Sequence, residues 1–128
     1  MHLNWSQEYT LDSKGIKNAP HSAGVYKIYQ DAEYSRYRGM TRLLKIGMSK
    51  SDLQQELGNH LQRHTVANRL KRILKEHKIT FRYATTTPDD APLNEKELLR
   101  SFEDEFWDIP VCNSTRGYSR GEDVHYAK

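Results

Sequence analysis

Two short stretches, Gly24-Val25-Tyr26-Lys27-Ile28-Tyr29 and Leu43-Leu44-Lys45-Ile46-Gly47, decide the predicted fold of this chain. The first stretch alternates as a half-buried strand does, and the second is typical of a strand that ends in a glycine turn. The connection between them, from Gln30 to Arg42, is polar and contains Gly39. A β-hairpin is the most economical interpretation of this pattern.

The residues after the hairpin predict helices and one more strand. Ser51 or Asp52 can cap a helix whose apolar stripe consists of Leu53, Leu57 and Leu61. Gly58 lies inside that helix, where a break or a close packing contact is expected because glycine costs about 1 kcal/mol against alanine. The elements predicted next are a helix over 65–77, a strand over 79–85 and a last helix over 94–107. Two prolines in the loop 86–92 are expected to stop any helix there.

This order of elements indicates an α/β fold, a small three-stranded antiparallel sheet flanked by helices. A length of 128 residues fits one domain, 1–128, with a modest core. No apolar run approaches the roughly 20 residues of a membrane span. The single cysteine, Cys112, cannot form an internal disulfide and suits a reducing cytosol. We therefore expect a cytoplasmic protein with no membrane partner.

Charge is distributed unevenly along the chain. The net charge of +3 permits a nucleic-acid partner without establishing one. Residues 60–78 are basic, residues 89–108 are acidic, and the tail 114–128 is basic again. A metal-dependent phosphodiesterase needs cations for the substrate backbone and a carboxylate for the metal. On charge alone, two solvated helices of opposite charge packed together are the favoured explanation of this pattern.

The predicted last helix carries one acidic residue in line with its apolar side. At 100° per residue, the stripe consists of Leu98, Leu99, Phe102 and Phe106. Glu95 lies one turn before this stripe and on the same side, whereas Glu97 points away. A first-turn glutamate either bends into water, stabilised by the helix dipole, or faces a partner inside the domain.

Taken together, residues 19–113 resemble the GIY-YIG nuclease family. Gly24-Val25-Tyr26 matches its first triplet, and Lys45-Ile46-Gly47 matches the second, in which the family usually begins with tyrosine. Glu95 stands before Leu98-Leu99 as the family's glutamate stands before two aliphatic residues. The family also has an asparagine after this helix, and Asn113 takes that place.

The resemblance implies an endonuclease that hydrolyses phosphodiester bonds in nucleic acid, with DNA as the expected substrate. Glu95 would hold one Mg²⁺ or Mn²⁺, and Tyr26 would orient or deprotonate the attacking water. Asn113 would organise the site by hydrogen bonding. The residues expected to stabilise the developing charge are Lys45, His60 and Arg63. The residues expected to contact the nucleic-acid backbone are Lys50, Arg69 and Arg72.

The chain departs from the family at the arginine of the first helix. Glu56 lies where that arginine belongs, while His60 keeps the place of the family's histidine. We expect Arg63, which is nearer than Arg69, to supply the guanidinium from a shifted position. Two alternatives stay open: a nucleic-acid-binding module without cleavage, and a protein-interaction domain whose acidic helix binds a basic partner.

Two further points concern ligands and partners. His60 and His64 have the i, i+4 spacing of a zinc pair, although no third histidine or cysteine is obviously placed to complete the site. So small a domain offers few elements for reading bases in a groove. Sequence specificity would therefore need dimerisation or a specificity partner, and structure-selective or relaxed cutting is the favoured expectation.

Overall fold

The structure, a computed structural model, describes residues 2–62 and 76–113. Three of the predicted site residues, Arg63, Arg69 and Arg72, lie outside these ranges, as do His64 and the tail 114–128. The predicted helix over 65–77 also falls almost entirely outside them. Within the described ranges, no helix combines the length and the apolar character needed to cross a membrane.

Four antiparallel strands form a single sheet in the order β1-β4-β2-β3. The strands are β1 (Tyr9–Thr10), β2 (Gly24–Ser35), β3 (Met40–Ser49) and β4 (Ile79–Thr85). The described helices are α1 (Ser13–Ile16), α2 (Leu53–Gln62) and α3 (Asp90–Phe106). The predicted mixed α/β fold with a small antiparallel sheet is confirmed, and the two-residue β1 adds a fourth strand to the three expected.

The β2–β3 hairpin is longer than its apolar centre suggested. The segment from Gln30 to Arg42, predicted as a connection, is mostly strand, and the turn is confined to its tip. There the amide of Arg36 donates to the carbonyl of Gly39 at 2.9 Å, and Gly39 has a positive φ of 87°. The Tyr34 hydroxyl donates to the carbonyl of Leu43, so an aromatic residue holds the polar part of β2 onto β3. The residues of this extension are mostly polar, so the sequence pattern did not indicate a strand here.

Strand register decides which side chains share a face of the sheet. Tyr26 pairs with Gly47 and Ile28 with Lys45, and the register then shifts so that Tyr29 pairs with Leu43. Leu44 is the extra residue at this irregularity, directly beside Lys45. Because partners directly opposite each other point to the same face, Tyr26 and Lys45 project from one side of the sheet.

Two apolar clusters lie on the sheet, one with each of the longer helices. The cluster around α2 contains Leu11, Ile16, Ala19, Tyr26, Ile28, Leu44, Leu53, Leu57, Ile79, Phe81 and Cys112. The cluster around α3 contains Leu43, Ile46, Leu99 and Phe102. The predicted stripe of α3 is confirmed, since Leu99 and Phe102 are buried and Leu98 and Phe106 pack partly against them.

Helix α2 begins where its cap was predicted. The Asp52 carboxylate accepts the amide N–H of Gln55 at 2.9 Å, which satisfies one of the free donors of the first turn. The expectation of a break or a close contact at Gly58 is wrong. The helix continues through this position, and a Cβ atom there would meet no atom within 4 Å.

Helix α3 begins four residues earlier than predicted, at Asp90 instead of Asn94. Pro92 was expected to prevent this, but it lies in the first turn, where the backbone N–H has no helical partner to lose. Thr87 supports the new start, since its hydroxyl accepts the amide N–H of Asp90 at 3.2 Å. The helix ends at Trp107, whose φ of 58° and ψ of 28° are left-handed.

The chain after α3 returns to cover the outer edge of β3. The amide of Cys112 donates to the Leu44 carbonyl at 2.8 Å. The Asn113 side chain then bonds both main-chain groups of Ile46, accepting its N–H at 2.9 Å and donating to its carbonyl at 2.8 Å. These three bonds fix β3 at Leu44 and Ile46, on both sides of Lys45.

Glycine is required at position 47 and costly at position 58. A Cβ atom at Gly47 would lie 2.2 Å from the Tyr26 hydroxyl oxygen, so Gly47→Ala must displace the tyrosine ring. We expect this change to lower the free energy of unfolding by about 1–3 kcal/mol. Gly58→Ala, in an open helical position, should raise it by up to about 1 kcal/mol. Urea unfolding of both variants measures the contrast, and equal stabilities would contradict this packing.

Candidate functional site

Four elements bring titratable side chains to one place. Tyr26 comes from β2, Lys45 from β3, His60 from α2 and Glu95 from α3. Tyr26 is fully buried, while Lys45 and His60 are only 9% and 5% exposed, and Glu95 is half-buried. Lysine and histidine are seldom this buried without polar partners, so the cluster is a built feature of the fold.

The Tyr26 hydroxyl is the centre of a hydrogen-bond network. It donates to Glu56 Oε2 at 3.0 Å and lies 2.7 Å from His60 Nε2. A hydroxyl has one proton to donate. Because Glu56 accepts that proton, His60 must carry a hydrogen on Nε2 and donate it to the tyrosine oxygen. This assignment gives the network a direction, from His60 through Tyr26 to Glu56.

Glu56, which stands at the position of the family's arginine, is a member of this network that the sequence did not assign to the site. Its Oε2 also lies 3.7 Å from His60 Nε2, one helical turn away on α2. The pKa of Glu56 is lowered, first by its hydrogen-bonding interaction with His60 and then by the bond from Tyr26. Glu56 is therefore a carboxylate at neutral pH, and its side chain is 36% exposed, so it connects the buried tyrosine with solvent.

A helical pattern in the sequence could have found Glu56. Leu53, Leu57 and His60 are buried on one side of α2, and Glu56 is spaced three residues from the first and four from the last. The spacing i, i+3, i+4, i+7 is that of a single helix face. Glu56 thus had to face the sheet, and only its charge argued against placing it there.

Burial changes the chemistry that Tyr26 can perform. Burial raises the pKa of the Tyr26 phenol well above its usual value, and the negative charge of Glu56 raises it further. At neutral pH the side chain is a phenol that donates a hydrogen bond. It can take a proton from water only if its own proton passes on to a neighbour, and the Glu56 carboxylate is the acceptor already in place.

Lys45 and Glu95 influence each other across the site. Burial lowers the pKa of Lys45, and the carboxylate of Glu95 acts against this effect. Burial raises the pKa of Glu95, Lys45 lowers it, and the like charge of Glu56 raises it again. Because α3 begins at Asp90, Glu95 lies beyond the first turn, and its half-buried carboxylate interacts with the charges of the cluster. Lys45 is the cation of this cluster that could pair with an anionic ligand such as a phosphate oxygen.

The cluster contains few side chains that could bind a divalent metal ion. Within residues 2–62 and 76–113, no group of three histidine, cysteine, aspartate or glutamate side chains is arranged to hold a metal ion. Mg²⁺, however, is usually bound by one or two carboxylates together with waters and substrate phosphates. Glu95 and the neighbouring Glu56 offer two such carboxylates, whose mutual repulsion a cation would relieve. The donor set thus fits Mg²⁺ or Mn²⁺ held jointly with substrate.

The remaining predicted residues are distributed differently. Asn113 bonds the main chain of Ile46, next to Lys45, and so holds the site's edge without entering the network around Tyr26. Lys50 is exposed just after β3, where it can meet a ligand from solvent. The zinc interpretation of His60 and His64 cannot be followed to its second residue, which lies outside the described ranges.

Comparisons with protein-family models, with curated proteins and with solved structures found no match to this chain. Its function therefore has to be argued from the cluster around Tyr26 itself.

The buried phenol makes stability depend on alkaline pH. Because the folded-state pKa of Tyr26 is raised, the unfolded chain loses this proton first, above about pH 10, and the folded chain keeps it. We expect the free energy of unfolding to fall as pH rises through that window, and to fall less steeply in Tyr26→Phe. Urea unfolding at several alkaline pH values measures both slopes. Tyr37→Phe, at an exposed tyrosine, should keep the wild-type slope; equal slopes in all three proteins would refute a buried, protonated Tyr26.

Proposed function

We propose that this chain is a metal-dependent endonuclease of the GIY-YIG type, which hydrolyses phosphodiester bonds in nucleic acid, with DNA as the expected substrate. One observation carries the proposal. Tyr26 and His60, which matched the family in separate parts of the sequence, are in hydrogen-bond contact, and the charge of Glu95, the third match, acts on the pKa of Tyr26. A cluster of perturbed titratable groups is typical of a catalytic site.

Each side chain has a role that its surroundings support. Tyr26 orients the attacking water with the hydroxyl oxygen, one lone pair of which accepts from His60. His60, as a hydrogen-bond donor, and Lys45, as a cation, meet the charge developing on the phosphate. Asn113 holds the strand that carries Lys45. Arg63 is proposed to add a guanidinium, and Lys50, Arg69 and Arg72 are proposed to hold the nucleic-acid backbone.

Glu95 would bind Mg²⁺ or Mn²⁺, and the negative charge of Glu56, which acts on the pKa of Glu95, would also favour a cation there. When bound, the metal would act as a Lewis acid on the phosphate and support the leaving oxygen. The half-buried position of Glu95 keeps its carboxylate away from competing solvent, and Lys45 restrains the rise in its pKa that burial causes. Lys45 thus favours the anionic form of Glu95, which is the form that binds a metal.

Glu56 completes the proposal by receiving the proton. As water gives a proton to the Tyr26 oxygen, the tyrosine proton passes along the existing 3.0 Å hydrogen bond to Glu56. The resulting hydroxide attacks phosphorus, the bond to the leaving oxygen breaks, and solvent protonates that oxygen. Glu56 then releases its proton through its exposed side. On this view the glutamate replaces the family's arginine with a base.

A second candidate function is a nucleic-acid-binding module without cleavage. It is favoured by the same residue, because a carboxylate beside Tyr26 repels a phosphate where an arginine would attract it. For either function, we propose a cytoplasmic protein whose selectivity among nucleic acids comes from dimerisation or from a partner protein. The protein-interaction alternative has no contact of its own among residues 2–62 and 76–113 to favour it.

The metal role of Glu95 gives a direct test. Glu95→Gln keeps the size of the side chain but removes its charge, so it should abolish Mg²⁺-dependent nicking of supercoiled plasmid while the fold and most DNA binding persist. Glu97→Gln, exposed two residues further along α3, is the matched control and should be nearly silent. Undiminished nicking by Glu95→Gln would sink the proposed mechanism.

Glu56 decides between the two candidate functions. If it receives the proton, Glu56→Gln should slow cleavage by a factor on the order of 10², the lower range for acid–base groups, although the amide can still accept the Tyr26 hydrogen bond. Glu56→Arg should then be inactive too. A wild-type protein that binds DNA without nicking it, together with a gain of nicking in Glu56→Arg, would instead identify a disabled nuclease.

A further inference from the structure

An exposed aromatic patch lies at the far end of α3 from Glu95. Tyr37, from the hairpin tip, is 81% exposed, Met40 is 53% exposed and Trp107 is 59% exposed. Phe106 is half-buried beside them. We call these four residues the aromatic patch. Large apolar side chains exposed together, and not singly, usually mark a binding surface.

Trp107 holds its place in the patch against a conformational preference. Its φ of 58° is the left-handed value that normally selects glycine at the end of a helix. It is the only non-glycine residue with positive φ in the described ranges. An unfavourable backbone conformation combined with an exposed tryptophan is an observation that folding alone does not explain, and such strain is often kept for a ligand.

The geometry of the patch suits a flat ring. The Tyr37 and Trp107 rings lie 6.3 Å apart at 31° to each other, and the Arg38 guanidinium lies 5.3 Å from the Trp107 ring. Alongside runs a groove of about 390 Å³, lined by Arg38, Gly39, Met40, Glu105 and Phe106. Its lining combines apolar side chains, Met40 and Phe106, with one cation, Arg38, and one carboxylate, Glu105.

We propose that the aromatic patch binds an unpaired nucleobase in a single-stranded segment of nucleic acid. The proposal rests on the proposed nucleic-acid function and names its substrate class. The Tyr37 and Trp107 rings stack with the base, as aromatic side chains do in proteins that bind single strands. Arg38 pairs with an adjacent phosphate. Glu105 accepts a hydrogen bond from an exocyclic amino group, which cytosine has and thymine lacks.

The patch and the cluster around Tyr26 can serve one strand. Trp107 follows Glu95 by about 18 Å along α3, at 1.5 Å per residue. A nucleic acid with an unpaired segment near its scissile phosphate can therefore reach both ends of the helix. This arrangement recognises the structure of the nucleic acid and not its sequence, which a small domain with few elements for reading bases in a groove can achieve.

The experiment uses the fluorescence of Trp107. Trp5, the second tryptophan, lies beneath the Lys27 ammonium on β2, and Trp5→Phe removes its signal. In that background, titration with a short oligodeoxycytidylate should quench Trp107 strongly, oligodeoxythymidylate less so, and a blunt duplex least. Glu105→Gln should narrow the difference between the two single strands.

Variants separate binding from folding. Trp107→Gly should melt no lower than wild type, because glycine suits the left-handed position, and yet should weaken single-strand binding by about tenfold or more in fluorescence anisotropy. Tyr37→Ala should weaken it comparably. Leu93→Ala, which trims an exposed apolar residue outside the patch, should bind as wild type does.

The outcomes distinguish this proposal from the nuclease. Quenching without cleavage would support the patch and favour the binding module over the enzyme. Cleavage with no quenching of Trp107, or with equal quenching by duplex and single strand, would overturn the patch and leave the nuclease standing. A shift in Trp107 emission that depends only on protein concentration would also overturn it, since a second copy of the chain would then cover the patch.

Discussion

A buried phenol that must be hydrogen bonded is the constraint on which this site depends. A hydroxyl left unpaired in the interior lowers the free energy of unfolding by on the order of 1–3 kcal/mol. The buried Tyr26 hydroxyl therefore needs hydrogen-bond partners. Those partners, Glu56 and His60, are one turn apart on α2, which fixes how that helix lies on the sheet. The same ring occupies the space above Gly47, so the second triplet must end in glycine. Fold and site are therefore specified together.

Much of the fold was readable from the sequence because the signals were local. β4 occupies the predicted 79–85, and α2 starts after the predicted Asp52 cap. The errors occur where distant contacts decide. The two-residue β1 is a strand because it pairs with β4, and no local sequence pattern in either strand indicates this pairing. The extra turn of α3 depends on Pro92 falling within the first turn, where the rule against proline does not apply.

The family pattern named Tyr26, His60 and Glu95 as candidate residues, but it could not give the interactions between them. The structure shows a hydrogen-bond contact between Tyr26 and His60 and an effect of the Glu95 charge on the pKa of Tyr26, while their catalytic roles stay predictions. The same matching treated Glu56 as a defect, because a pattern compares residue types and carries no distances. Only the geometry shows that its carboxylate accepts a hydrogen bond from the Tyr26 hydroxyl. Charge signs of neighbouring groups, which set the pKa directions here, likewise emerge only after folding.

The bonds that Cys112 and Asn113 make to β3 have a consequence for assembly. β3 is the outer strand of the sheet, and an uncovered outer strand is open to β-augmentation by a peptide or by another copy of the chain. Between Leu44 and Ile46 the hydrogen-bonding positions are already occupied from within. A strand added there would first have to displace Cys112 and Asn113 from these hydrogen bonds. These bonds thus protect the sheet from intermolecular strand pairing at the position of Lys45, a member of the cluster around Tyr26.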